Sequence, residues 1–80
     1  MAIEYLEEHV CLTEYVTVEE ADGLLAWLQK TPAGAVDLRG CSHLHAANLQ
    51  VLMAARPAIL AWPEDVALAA WLRRSLIPHE

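Results

Sequence analysis

An 80-residue chain with 56 % apolar residues and a net charge of −6 is long enough for one domain and too apolar to be disordered. A domain of this size buries about 60 to 65 % of the surface that its unfolded chain exposes. The charge distribution argues against nucleic acid as a ligand, because residues 1–22 hold seven carboxylates and no Lys or Arg. We therefore expect one domain, residues 1–80, that does not bind nucleic acid.

The chain carries no signal for membrane insertion or secretion. No apolar run approaches the roughly 18 to 20 residues that span a bilayer, and no basic segment precedes an apolar one near residue 1. These features predict a cytoplasmic protein. Two cysteines, Cys11 and Cys41, are too few for a disulfide framework, so we expect both to be small buried apolar groups.

The first part of the chain predicts a strand or hairpin followed by a helix. Loose alternation over residues 3–12 favours one bent strand or a short hairpin. Thr17 and Glu20 match a capping box, in which each side chain bonds the other residue's backbone N–H, so a helix is expected to begin there. It is expected to end before Pro32. Its apolar stripe consists of Ala21, Leu24, Leu25 and Leu28.

The rest of the chain predicts two more strands and two more helices. Residues 35–38 form an apolar run between two helical patterns, which favours a central strand. A second helix is expected over residues 45–55, closed by Pro57, and residues 58–62 are expected to form another buried parallel strand. The third helix is expected to carry Pro63 at its first position. Its predicted core stripe consists of Leu68, Trp71, Leu72 and Leu76.

The three tryptophans differ in their predicted surroundings. Trp62 ends the last strand and Trp71 lies on a core stripe, so both are expected to serve packing. Trp27 falls beside the stripe of the first helix, which predicts partial exposure. Two interpretations of Trp27 stay open: an aromatic anchor at an interface, or a half-buried ring at the edge of the core.

Residues 36–49, VDLRGCSHLHAANL, pass from the central strand through a turn into the second helix. This segment resembles the STAS domains of bacterial anti-sigma factor antagonists and of related sulfate-transporter and lipid-transport subunits. Family members follow a Val-Asp-Leu strand with Asp-Ser/Thr-Ser/Thr/Ala-Gly-Leu at the helix start. Residues 17–21 are also similar, so the resemblance spans residues 5–62 and implies an α/β fold with a small, mostly parallel sheet covered by about three helices. The matching positions are Asp37, Leu38, Gly40, Leu44 and Leu49.

The chemistry at the helix start departs from that family. His45 stands at the family's acidic position and Asn48 at its glycine. Ala46 and Ala47 stand where the family carries its phosphorylatable hydroxyls, and alanine cannot accept a phosphoryl group. The chain is also shorter than typical STAS domains, which continue with a further strand and helix. The resemblance therefore implies a shortened member without the usual phosphorylation site.

In the family, the helix start and the loop before it also form a docking surface for a partner protein, and this role does not require the hydroxyl. The resemblance implies a non-enzymatic adaptor without a cofactor, whose partner is an anti-sigma factor, a histidine-kinase-like regulator or a transporter subunit in bacterial signalling. The alternative is that the two alanines only pack the helix against the sheet. The short C-terminal part is also expected to leave a sheet edge open, which is a route to a homodimer. The implied contact residues are His43, His45, Ala46, Ala47, Asn48 and Gln50.

A metal-binding or redox function is the rival hypothesis. Cys41, His43 and His45 form Cys-x-His-x-His, which offers three ligands suited to zinc or copper. A fourth ligand would have to come from Cys11, His9 or a carboxylate, and the spacing matches no standard zinc signature.

An enzyme is not expected from these residues. Ser42 beside two histidines lacks both an evident orienting carboxylate and a nucleophile-elbow sequence, so we expect it to cap the helix or the turn before it. No phosphate-binding glycine loop is present in the sequence.

Overall fold

The chain alternates short strands with helices in the computed structural model, which describes residues 2–76. A 3₁₀ turn, Val18–Glu20, leads into the first helix. The elements in chain order are β1 (Ile3–Tyr5), β2 (His9–Leu12), β3 (Glu14–Val16), α1 (Ala21–Lys30), β4 (Ala35–Asp37), β5 (Cys41–Leu44), α2 (Ala46–Ala55), β6 (Ala58–Ala61) and α3 (Val66–Leu76).

Four strands form a mixed sheet in the order β1-β2-β4-β6. β1 and β2 form an antiparallel hairpin, whereas β2 with β4 and β4 with β6 are parallel. The sequence predictions of an α/β domain and of a central strand at β4 are confirmed, and of the two alternatives for residues 3–12 it is the short hairpin that forms. The prediction that the last strand is buried is wrong: β6 is an edge strand within residues 2–76, and its Leu60 is 59 % exposed.

The helices cover one face of this sheet. The connections β2-α1-β4 and β4-α2-β6 are parallel crossovers in the same direction, and right-handed crossovers of this kind place their helices on the same side of the sheet. The burial pattern agrees with this arrangement. Side chains that alternate toward the helices, such as Val10 and Val36, are fully buried, whereas Cys11 and Asp37 on the opposite face are partly exposed. The core between sheet and helices comprises Ile3, Val10, Leu12, Val16, Leu24, Leu28, Val36, Leu38, Cys41, Leu44, Leu49, Leu52 and Leu72.

A second, two-stranded sheet extends the two inner strands. β2 continues into β3, β4 continues into β5, and these extensions pair in parallel with Tyr15 opposite His43. The Glu14 N–H donates to the Gly40 carbonyl at 2.7 Å, and Glu14 adopts a left-handed backbone with φ 55° where the register shifts. The sequence predicts a turn and helix entry over residues 41–45, so strand β5 was missed by the pattern.

The helix starts differ from the sequence predictions in two places. The capping box is wrong: no side chain caps the 3₁₀ turn, and Glu20 N–H instead donates to the Thr17 carbonyl at 3.1 Å. Pro63 is not the first residue of α3. That helix begins at Val66, and the Asp65 carboxylate accepts the Leu68 N–H at 2.9 Å as its cap. The predicted ends before Pro32 and Pro57 are confirmed.

The tryptophans pack at the edges of the core. Trp71 is 41 % exposed, so its predicted place in the core stripe is wrong, because the buried line of α3 runs through leucines spaced four residues apart. Trp62 is partly buried and lies 5.2 Å from the guanidinium carbon of Arg73. Trp27 is partly exposed, as predicted. Its ring lies 6.1 Å from that of Tyr5 and covers Gly34, where an added Cβ would come within 2.7 Å of the indole.

Candidate functional site

Strand β5 carries the chain to the start of α2 and fixes its position. Leu44, the last residue of β5, is buried opposite Val16. His45 follows in an extended conformation, and its N–H donates to the Val16 carbonyl at 2.9 Å. The residue immediately before α2 is therefore hydrogen-bonded to the end of β3. This bond fixes the position of the helix start relative to the sheet.

His45 is the N-terminal cap of α2. Its Nδ1 accepts the Ala47 N–H at 3.0 Å, and its carbonyl accepts the N–H groups of Asn48 and Leu49. The imidazole thus takes the place of the hydroxyl or carboxylate oxygen that usually accepts the N–H at a helix start. The sequence predicts that Ser42 caps the helix or the turn before it, which is wrong: Ser42 lies within β5. Histidine was overlooked because serine, threonine, aspartate and asparagine are the usual capping residues.

Asn48 is an internal residue and does not belong to the exposed surface. Its side chain is fully buried, and its Nδ2 donates to the Thr17 carbonyl at 2.7 Å. Its Oδ1 has no hydrogen-bond partner among residues 2–76. The resemblance implies a contact role for Asn48, and this implication must be corrected: the amide links α2 to the segment before the 3₁₀ turn.

The other implied contact residues have accessible side chains. Ala47 is partly exposed, and the remaining four are exposed. Tyr15 joins them from β3, because it is 66 % exposed and its ring lies 5.8 Å from that of His43. We call this set the helix-start surface; it consists of Tyr15, His43, His45, Ala46, Ala47 and Gln50.

Tyr15 could not be found from the sequence pattern. It lies 28 positions before His43 in the numbering, and only the pairing of β3 with β5 brings the two rings together. Burial along β3 does not single out Tyr15 either: Glu14 beside it is exposed as well, and Val16 is buried. Exposed aromatic rings are enriched at protein interfaces.

The three side chains of the metal hypothesis are engaged separately. Cys41 is 3 % exposed, and its thiol donates to the His43 carbonyl at 3.5 Å. The His43 ring packs on Tyr15, and the His45 ring caps α2. Among residues 2–76, no group of three His, Cys, Asp or Glu residues is arranged to hold a metal ion. Cys41, His43 and His45 are therefore not brought together as ligands.

The two thiols lie in different environments. Cys41 is buried as predicted, and burial raises the pKa of its thiol. The prediction of burial is wrong for Cys11, which is partly exposed on the sheet face opposite the helices. Residual desolvation raises the pKa of the Cys11 thiol, and the carboxylates of Asp37 and Glu4 raise it further. Neither thiol is activated as a nucleophile, because activation requires a lowered pKa.

Comparison with known proteins gives no match. No protein-family model, no curated protein and no solved structure matches this chain. Within residues 2–76, no helix is long and apolar enough to cross a membrane.

Proposed function

We propose that this protein is a non-enzymatic adaptor of the STAS-like class that binds a partner protein through the helix-start surface. The observation that carries the proposal is the combination of exposure and fixed position at the start of α2. Small side chains at Ala46 and Ala47 let a partner approach closely. Two hydrogen bonds, from His45 to Val16 and from Asn48 to Thr17, hold the helix start before any partner arrives.

A fixed surface binds with a smaller loss of conformational entropy than a mobile one. Tyr15 adds a large, amphipathic ring to a surface that otherwise consists of small and polar groups. The resemblance of residues 36–49 to STAS domains is the second support, and a mixed sheet with a helix after its central strand is compatible with it.

The proposed adaptor docks without a phosphorylation switch at this site. The two positions that carry hydroxyls in the family are Ala46 and Ala47 here. The partner classes are those of the family: an anti-sigma factor, a histidine-kinase-like regulator or a transporter subunit, in the bacterial cytoplasm. Residues 1–22, without a single Lys or Arg, favour a partner with a basic surface.

Ala47→Asp tests the docking proposal. The tagged full-length chain is used for affinity capture from its native cells, with captured proteins quantified by mass spectrometry. Asp at the second position of α2 places a negative charge near the positive end of the helix dipole, so the fold is expected to stay stable. A desolvated charge in the interface is expected to lower recovery of the specific partner about tenfold or more.

Ala67→Asp is the matched control. Ala67 is exposed and occupies the same second position in α3. The control is expected to recover the partner as the unchanged chain does. Equal recovery by the Ala47→Asp and Ala67→Asp proteins, both folded by circular dichroism, would reject the helix-start surface as the docking site.

A further inference from the structure

A pocket of about 490 Å³ lies at the other end of α2, between the C-terminal parts of α2 and α3 and strand β6. Its wall is mostly apolar and includes the fully buried Leu52 together with the partly buried Ile59, Trp62 and Leu76. Volumes of about 300 to 1,000 Å³ with apolar walls and a few polar groups are typical of small-molecule sites. None of these residues belongs to the helix-start surface.

Arg56 is the only charged residue among the described residues that line this pocket. It follows the last residue of α2 in a left-handed conformation, with φ 53°, and its N–H donates to the Leu52 carbonyl at 2.8 Å. Glycine or asparagine is the usual residue at such a position. Here the position instead carries a long cationic side chain, which has no ion pair within residues 2–76.

The Trp62 ring, which lines the pocket, also contacts a cation that is not among the lining residues. The guanidinium of Arg73 lies 5.2 Å from the centre of the Trp62 ring, a distance at which a cation is attracted to the ring face. This contact holds the ring that forms one side of the pocket. The chain as a whole has a net charge of −6, yet the one charged residue that lines this pocket among residues 2–76 is Arg56. The local charge is complementary to an anion, and the apolar wall is complementary to a hydrocarbon chain.

We propose that this pocket binds a small amphipathic carboxylate. The carboxylate pairs with the Arg56 guanidinium, which can donate two parallel hydrogen bonds to it. The aliphatic chain packs against Leu52, Ile59 and Trp62. This proposal does not depend on the adaptor function, because the pocket and the helix-start surface share no residue.

The probe is decanoate, with decanol and decyltrimethylammonium as neutral and cationic analogues of the same chain length. Each is titrated into the full-length ¹⁵N-labelled protein below its micelle concentration, and amide and indole N–H shifts are followed by NMR. Decanoate is expected to shift the Trp62 indole and the amides of residues 52–56, 58 and 59, with the Trp27 indole unchanged. It is expected to bind about tenfold more tightly than decanol, since a hydrogen bond to a charged group contributes roughly that factor.

Two variants at one position test the role of the charge. Arg56→Asn suits the left-handed backbone and removes the charge, whereas Arg56→Lys keeps it. Arg56→Asn is expected to abolish the preference for decanoate over decanol, and Arg56→Lys is expected to retain most of it.

Three results would overturn the proposal. The first is the absence of shifts with decanoate, and the second is equal affinity for the three head groups. The third is a set of pocket shifts that depends on protein concentration without any probe, which would identify a second copy of the chain as the occupant.

Discussion

The two ends of helix α2 are built in opposite ways. At its start, His45 caps the backbone through Nδ1 and Asn48 ties the first turn to Thr17, so local hydrogen bonds stabilise the helix. At its end, Arg56 adopts a left-handed conformation, which costs a residue with a Cβ about 1 to 2 kcal/mol. The start of α2 is thus stabilised by its own hydrogen bonds, whereas its end carries an unfavourable backbone conformation.

This difference separates a feature that serves stability from one that serves binding. A capped start would be favoured in any stable protein, so the cap alone says little about function. A strained arginine where glycine costs less is different, because the strain persists only if surrounding structure or function maintains it. The start of α2 therefore holds the helix-start surface in a fixed position, and its end places the Arg56 side chain at a pocket.

Among substitutions at the two ends of α2, Asn48→Asp is expected to change the free energy of unfolding most. The substitution buries a carboxylate at a fully buried position, removes the donor to the Thr17 carbonyl and places a negative charge near it. We expect a loss of at least about 3 kcal/mol in the free energy of unfolding, measured in urea. That is a large fraction of the roughly 5 to 15 kcal/mol that stabilises a typical domain.

The neighbouring Ala47→Asp supplies the control for Asn48→Asp, because it introduces the same carboxylate one residue earlier at a partly exposed position. Its free energy of unfolding is expected to change little. Similar losses in the two proteins would mean that the buried amide does not hold the start of α2.

His45→Ala is expected to have an intermediate effect. It removes the acceptor of the Ala47 N–H and should lower the free energy of unfolding by about 1 kcal/mol, the usual cost of losing a helix cap. His45→Asp restores a capping acceptor and should recover most of that loss. Urea unfolding of the three proteins measures the series, and a His45→Asp protein no more stable than His45→Ala would contradict the capping role.

Arg56→Gly is expected to have the smallest effect, and in the opposite direction. It relieves the left-handed strain but increases the freedom of the unfolded chain, so the net gain should be about 1 kcal/mol or less. Thermal and urea unfolding measure this gain. A loss of stability instead would show that packing of the Arg56 side chain outweighs the strain, and the contrast between the two helix ends would disappear.

The sequence predicts the elements that have a strong local pattern. The ends of α1 and α2 follow from Pro32 and Pro57, which stop a helix whatever surrounds it. The central place of β4 follows from its continuous apolar run between helical segments. Elements defined by distant contacts were not predicted: β5 has no alternating pattern and exists because β3 pairs with it.

The sequence range of the candidate site could be predicted, but the orientation of its side chains could not. Residues 43–50 include the start of α2, as the resemblance implies. Local sequence could not show that Asn48 turns inward, because its partner Thr17 lies 31 residues away. Exposure of Trp71 is a related case, since the core contacts of α3 are made by Leu68, Leu72 and Leu76 and leave Trp71 at the side of that line. The pocket at Arg56 has no sequence signature, because three separate elements form it.

The close approach of Trp27 to Gly34 sets a limit on how this sequence can vary. Any side chain at position 34 would meet ring atoms of Trp27 at 2.7 Å and the Thr31 carbonyl at 2.9 Å. The backbone carbonyl cannot retreat as the end of a flexible chain could. Gly23 and Gly40 have looser surroundings, with contacts of 3.1 and 3.3 Å to side-chain atoms. Divergent relatives of this chain should therefore keep glycine at position 34 while exchanging the other two, which makes that residue a marker for recognising them.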